Sequence, residues 1–161
     1  MNVRDILAEE LSAIVKELVE KYDSLGMRAT GQWERSLQTF IAWKEGKITA
    51  KIVGEDYTYY MQHGRKDGKL PPIRAIEAWI QAKGIQPIEK KMKISSLAFA
   101  IAHKIGQMGT RRFQNNGKPE FIDDVITPER IQSIIDKVGE GYIIQFSSDI
   151  IKIIEEIQNV A

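Results

Sequence analysis

The chain has 161 residues, a net charge of +1, 43% apolar and 28% charged residues, the make-up of one folded globular domain rather than a disordered segment. No apolar run approaches the roughly 20 residues that cross a bilayer, and the acid-studded start MNVRDILAEELSAIV has no signal-peptide cleavage site. The absence of cysteine excludes a disulfide frame and a thiolate metal site, and it fits production in the cytosol.

Residues 2–24 predict a long amphipathic helix, because Leu7, Leu11, Ile14, Val15, Leu18 and Tyr22 recur at spacings of three and four. Gly26 ends it, and RATGQWERSLQ predicts a weaker helical turn or two. SLQTFIAWKEGKITAKIVG reads as a β-hairpin over about residues 37–54, with Gly46 in the turn Lys44-Glu45-Gly46-Lys47. Residues 57–63 fit a short helix or an extended stretch, and RKDGKLPP fits a loop. Pro71-Pro72 suits the first turn of a helix that Gly84 stops after Lys83, with Ile73, Ile76, Trp79 and Ile80 on its apolar face and Ile85 packing beyond.

Residues 94–109 predict another helix, burying Leu97, Ala98, Ile101, Ile105 and Met108. GTRRFQNNGKPE reads as a second loop, and FIDDVI as a short apolar piece. Thr127-Pro128-Glu129 caps a last helix carrying Ile131, Ile134, Ile135, Val138, Tyr142, Phe146, Ile150 and Ile153. Its Gly139 and Gly141 each cost about 1 kcal/mol relative to alanine, and YIIQF within it also suits a short strand. The fold class expected is α+β: a small antiparallel sheet packed by a long N-terminal helix and further helices, in a single domain, 1–161.

Charge is segregated along the chain. Residues 1–61 hold 8 Lys/Arg against 10 Asp/Glu, residues 62–118 hold 12 against 3, and residues 119–161 hold 3 against 9. Such a pattern neutralises itself within one fold, pairs between copies, or is simply solvated.

Catalytic chemistry finds little support. The only histidines, His63 and His103, fall on different elements and in no metal-ligand spacing. No nucleophile elbow occurs, Ser95-Ser96 and Ser147-Ser148 suit helix surfaces or caps, and adjacent acids such as Asp123-Asp124 and Glu155-Glu156 diverge by about 100° on a helix. GRKDGKLPP lacks the spacing and the hydroxyl residue of a phosphate loop. No catalytic residue, cofactor or metal ligand is therefore expected. Cations with interleaved Tyr57, Tyr59, Tyr60 and Phe113 are the ingredients of nucleic-acid contact, against a plainer role for the tyrosines as packing at the sheet edge.

The order of motifs resembles the small tail-component or tail-completion (neck) proteins of long-tailed bacteriophages. ATGQWERSLQ, the hairpin leading into IVGEDYTYYMQHGR, the span GRKDGKLPPIRAIEAWIQAKGI, and LAFAIAHKIGQMGTRRF with the later KPEFIDDVI carry it, over about residues 3–155. Gln62-His63 departs from an often acidic position, and RRFQNNGKPEF is longer than usual. The resemblance implies a non-enzymatic virion protein, made in the host cytoplasm, that forms a ring of usually six copies. It would join the portal-adaptor stack to the tail tube and touch DNA only as it passes through the ring, with no membrane contact. Its expected docking residues are Tyr57, Tyr60, Gly64, Arg65, Lys66, Lys69, Arg111 and Arg112. The alternatives are a nucleic-acid-binding module using residues 62–118, and a hydrolase or nuclease around Tyr60, His63 and Arg65.

Overall fold

The computed structural model describes residues 2–160, with the side chains of residues 157, 159 and 160 left aside. It is α+β: a two-stranded antiparallel sheet and, among the described residues, eight helices, of which α1 (Val3–Ser24) and α8 (Pro128–Val160) are the longest. The chain gathers into two compact units. Unit 1 holds residues 1–17, 38–53 and 125–161, and unit 2 holds residues 18–37 and 54–124.

In unit 1 the apolar stripe of α1 is buried at Val3, Leu7, Leu11 and Ile14. Asn2 caps this helix, its Oδ1 accepting from the Asp5 N–H at 2.9 Å. Helix α8 runs antiparallel to α1: Arg130 pairs with Glu17, Lys137 with Glu10, and Gly141 lies where a Cβ would meet Ile6 Cδ1 at 2.8 Å and Val3 Cγ2 at 3.4 Å. A residue that weakens an isolated helix thus lets a second helix come close. Thr127 caps α8 as the sequence suggests, accepting from the Arg130 N–H at 3.2 Å. YIIQF stays helical inside α8, because hydrogen-bonded turns on both sides outweigh a local preference for strand.

Strands β1 (Gln38–Lys44) and β2 (Lys47–Val53) pair in register from Gln38–Val53 to Lys44–Lys47. Glu45 and Gly46 both have positive φ, 53° and 75°, the two-residue turn whose twist suits a hairpin. Most strand side chains are exposed; Ile41, Ile48 and Ile52 are half-buried on one face, where Trp43 meets Tyr142 edge to face at 5.7 Å.

In unit 2 the end of α1 buries Leu18 and Tyr22. After Gly26 the Met27 N–H returns to Tyr22 O, closing the helix end. Helix α2 (Gln32–Ser36) brings Trp33 between Tyr22, at 4.8 Å, and the fully buried Phe121, at 5.3 Å. Burial pushes the Tyr22 phenol pKa up, and the charge of Glu34 adds to this.

Helices α3 (Thr58–His63), α4 (Ile73–Lys83) and α5 (Ile94–Met108) follow, then the single turns α6 (Arg111–Gln114) and α7 (Ile122–Val125). Gly84 takes φ 65° and ends α4 as expected. Helices α4 and α5 pack together, burying Ile80, Ala98 and Ala102 completely. Two expected core residues are corrected. Trp79 and Met108 lie on the expected helical faces but are exposed, because those faces are wider than the ground that neighbouring helices cover.

Candidate docking surface

The segments 57–72 and 109–120 carry every residue singled out for docking, and in unit 2 they are bonded to each other. Helix α3 is set by Thr58, whose Oγ1 donates to Glu55 O at 2.6 Å and accepts from the Trp33 indole N–H at 2.9 Å. The helix stops at Gly64, with φ 77° and ψ 175°, a conformation open to glycine and costly for other residues. A Cβ there would lie 2.3 Å from Phe113 N and 2.6 Å from Thr110 Oγ1. Gly109 mirrors it with φ 75° and ψ 176°, facing Arg65 O and the Phe113 ring. The two glycines therefore let two backbones cross in van der Waals contact.

Hydrogen bonds fix that crossing. The Arg65 N–H donates to Thr110 Oγ1, the Thr110 N–H to Arg65 O, both at 2.9 Å, and the Gly68 N–H to Gly106 O at 2.8 Å. Arg112 has a structural use that the sequence reading missed. Its Nη1 donates to Gly117 O at 2.8 Å, Pro119 O at 2.7 Å and Gln62 O at 3.4 Å. Its pKa falls below the ordinary guanidinium value because it is partly desolvated.

Gln62, buried and unremarked in sequence except as a departure from the tail-protein pattern, is the second clamp. Its Oε1 accepts from the Ile122 N–H at 2.7 Å, and its Nε2 donates to Asp123 Oδ2 at 3.0 Å. Asp124 pairs with Lys21. The adjacent acids thus brace unit 2.

On this framework stand exposed rings and cations. Tyr57, Tyr59 and Tyr60 are exposed. Tyr59 packs on Tyr60 at 5.7 Å and on His63 at 4.5 Å, and the Arg65 guanidinium lies 5.7 Å from the Tyr60 ring centre. Tyr59, Tyr60 and His63 thus find ring contacts with one another on a single helical turn. Partial burial and the charge of Glu55 raise the Tyr57 pKa. Lys66, Lys69 and Arg111 are exposed, and among the described residues no carboxylate pairs with them. Of the residues in segment 62–118, the one in an ion pair among the described residues is Lys118, with Glu120 just beyond the segment.

The structure therefore brings Tyr60, Arg65, Lys66, Lys69 and Arg111 onto two fastened segments. It spends Gly64 and Arg112 on fastening them. His63 is exposed and lies tilted against Tyr59, and the described residues contain no group of three or more His, Cys, Asp and Glu that could hold a metal. His103, on α5, stacks on Phe99 at 6.0 Å. Searched against protein-family models, curated proteins and solved structures, the chain matches none.

Proposed function

We propose that this chain is a structural subunit of a bacteriophage virion, assembling as a ring at the head-tail junction and acting through surfaces rather than through chemistry. The observation that carries this reading is the fastened pair of segments in unit 2. The hydrogen bonds and glycine contacts that fasten these segments would be a costly way to hold a merely solvated loop, and among the described residues no carboxylate pairs with the exposed Lys66, Lys69 and Arg111. A rigid, aromatic and cationic surface loses little entropy on docking, which is what a repeated subunit contact needs. The motif order described above supplies the particular setting, between the portal-adaptor stack and the tail tube.

The test is assembly of the purified full chain, by light scattering coupled to size exclusion and by negative-stain electron microscopy. Closed rings that are lost on reversing Lys66, Lys69 and Arg111 together, with the far-ultraviolet spectrum kept, support the reading. A chain that stays monomeric alone and with portal-adaptor and tail-tube proteins overturns it.

The same unpaired cations favour one second reading, a nucleic-acid-binding module using residues 62–118. Its mark would be DNA binding by the isolated protein that weakens steeply as salt rises, as counterion release requires.

A further inference from the structure

The antiparallel pairing of α1 and α8 has a fixed offset, with Glu17 opposite Arg130, Glu10 opposite Lys137, and Val3 beside Gly141. Helix α1 begins at Val3, so residues 145–160 of α8 extend beyond its first turn by about 24 Å, at 1.5 Å per residue. Apart from the place where Tyr142 and Phe146 share a cleft with Val3 and Trp43, the side chains of residues 145–156 on this overhang are bare.

Its sequence is not that of a solvated helix. Ile143, Phe146, Ile150 and Ile153 follow one another at spacings of three, four and three, and Ile157 and Val160 continue the pattern in sequence. This is the a/d repeat of helices that supercoil together. Ile144, Ile151 and Ile154 widen the stripe, while Gln145, Ser148, Asp149, Lys152, Glu155 and Glu156 take the opposite side. The seven apolar residues from Ile143 to Ile154 are between 41% and 69% exposed. Seven neighbouring side chains this exposed on one helix form a continuous apolar face, and exposed faces of that kind mark contact sites rather than ordinary solvated surface.

We infer that residues 143–156 of α8 pack against the same segment of other copies of this chain, as a parallel bundle of three or more helices. Three features choose this occupant. Isoleucine at a (Ile143, Ile150) and at one of the two d positions (Ile153, the other being Phe146) favours more than two strands, and the extra apolar positions beside a widen the face as such a bundle needs. In a parallel bundle the g position Asp149 faces Ile154 of the neighbour, whereas an antiparallel one sets Asp149 and Glu156 of two copies against each other. A lipid surface fits poorly, since the polar side carries Asp149, Glu155 and Glu156 against Lys152, where a membrane-lying helix is rich in Lys and Arg.

This inference deepens the ring reading by naming a contact between subunits, but it stands on α8 and not on the segments of unit 2. Sedimentation equilibrium of the full chain over a micromolar range tests it, with Ile150→Glu/Ile153→Glu as the variant and Ser148→Glu as the control on the polar side. The result expected is a species of at least three copies for the parent and the control, and a folded monomer for the double variant. A monomeric parent, or a double variant that associates as the parent does, overturns the inference, as does a parent that is monomeric until anionic vesicles are added. Rings that form from the double variant sink this inference and leave the ring reading standing. Bundles without rings do the reverse.

Discussion

Arg65 and Thr110 hold each other twice, through Arg65 N–H to Thr110 Oγ1 and Thr110 N–H to Arg65 O, both at 2.9 Å across 45 positions of sequence. The same hydroxyl also accepts from the Phe113 N–H, so one atom caps α6 and ties it to the segment after α3. Thr110→Ala should cost about 1–2 kcal/mol, and Thr110→Ser much less, since only the serine keeps the acceptor. Urea unfolding of the three proteins checks this; equal losses for both variants would remove the hydroxyl from the account.

Two glycines of the same segment should respond differently. Gly64→Ala places a Cβ 2.3 Å from Phe113 N at φ 77°, so strain and overpacking together predict a loss of about 2–5 kcal/mol. At Gly68 the φ of 104° remains unfavourable, but nothing lies within 4 Å of the added atom. Gly68→Ala should therefore cost about 1–2 kcal/mol, and comparison of the two denaturation midpoints decides it.

Neighbouring arginines separate structure from docking. Removing the Arg112 guanidinium leaves three carbonyl acceptors, on Gln62, Gly117 and Pro119, without their donor. Arg112→Ala should lose about 2–3 kcal/mol. Arg111→Ala should stay within about 0.5 kcal/mol in thermal unfolding while weakening assembly or DNA binding. An Arg112→Ala protein as stable as its parent would contradict the clamp.

In unit 1, Gly139 sits inside α8 with no atom within 4 Å of a built Cβ. Gly139→Ala should raise stability by about 1 kcal/mol through helix propensity alone. A calorimetric Tm that falls instead would place an unseen constraint at that position.

Acid should weaken the α1–α8 pairing. The hydrogen bond from Arg130 holds the Glu17 carboxyl below its ordinary value of 4.5. A folded pKa lowered in this way gives stability that is present above pH about 4.5 and is lost as pH falls through the folded value. The gap in Tm between the parent and Arg130→Ala should therefore be widest near neutrality and close on acidification. A gap that does not change with pH would show that the guanidinium acts by packing alone.

What was legible in the sequence followed from regular spacing. The buried stripe of α1, the Lys44–Lys47 turn and the Gly84 stop all rest on interactions within a few residues, where pattern and structure are nearly the same thing. Gln62 and Asp123 meet across 61 positions, and no periodicity announces such a clamp. Arg111 and Arg112 look alike in sequence because the 100° between them on a helical turn gains meaning only once carbonyls stand on one side. Trp79 and Met108 show the opposite failure: a helical wheel gives a face, but not how far the neighbouring helix extends over it. Of the candidate surface, the aromatic and basic residues could be named in advance, whereas the glycine crossing that makes them rigid could not.

The hairpin of β1 and β2 has a consequence in time rather than in space. With two strands and, among the described residues, no third, every second amide along each strand points away from its partner. Those amides should exchange with deuterium almost as fast as in an unfolded chain, while those of Leu7 to Ile14 in α1 persist until the unit opens as a whole. One short stretch of the molecule would thus carry fast and slow exchange clocks on alternate residues, set by the register alone.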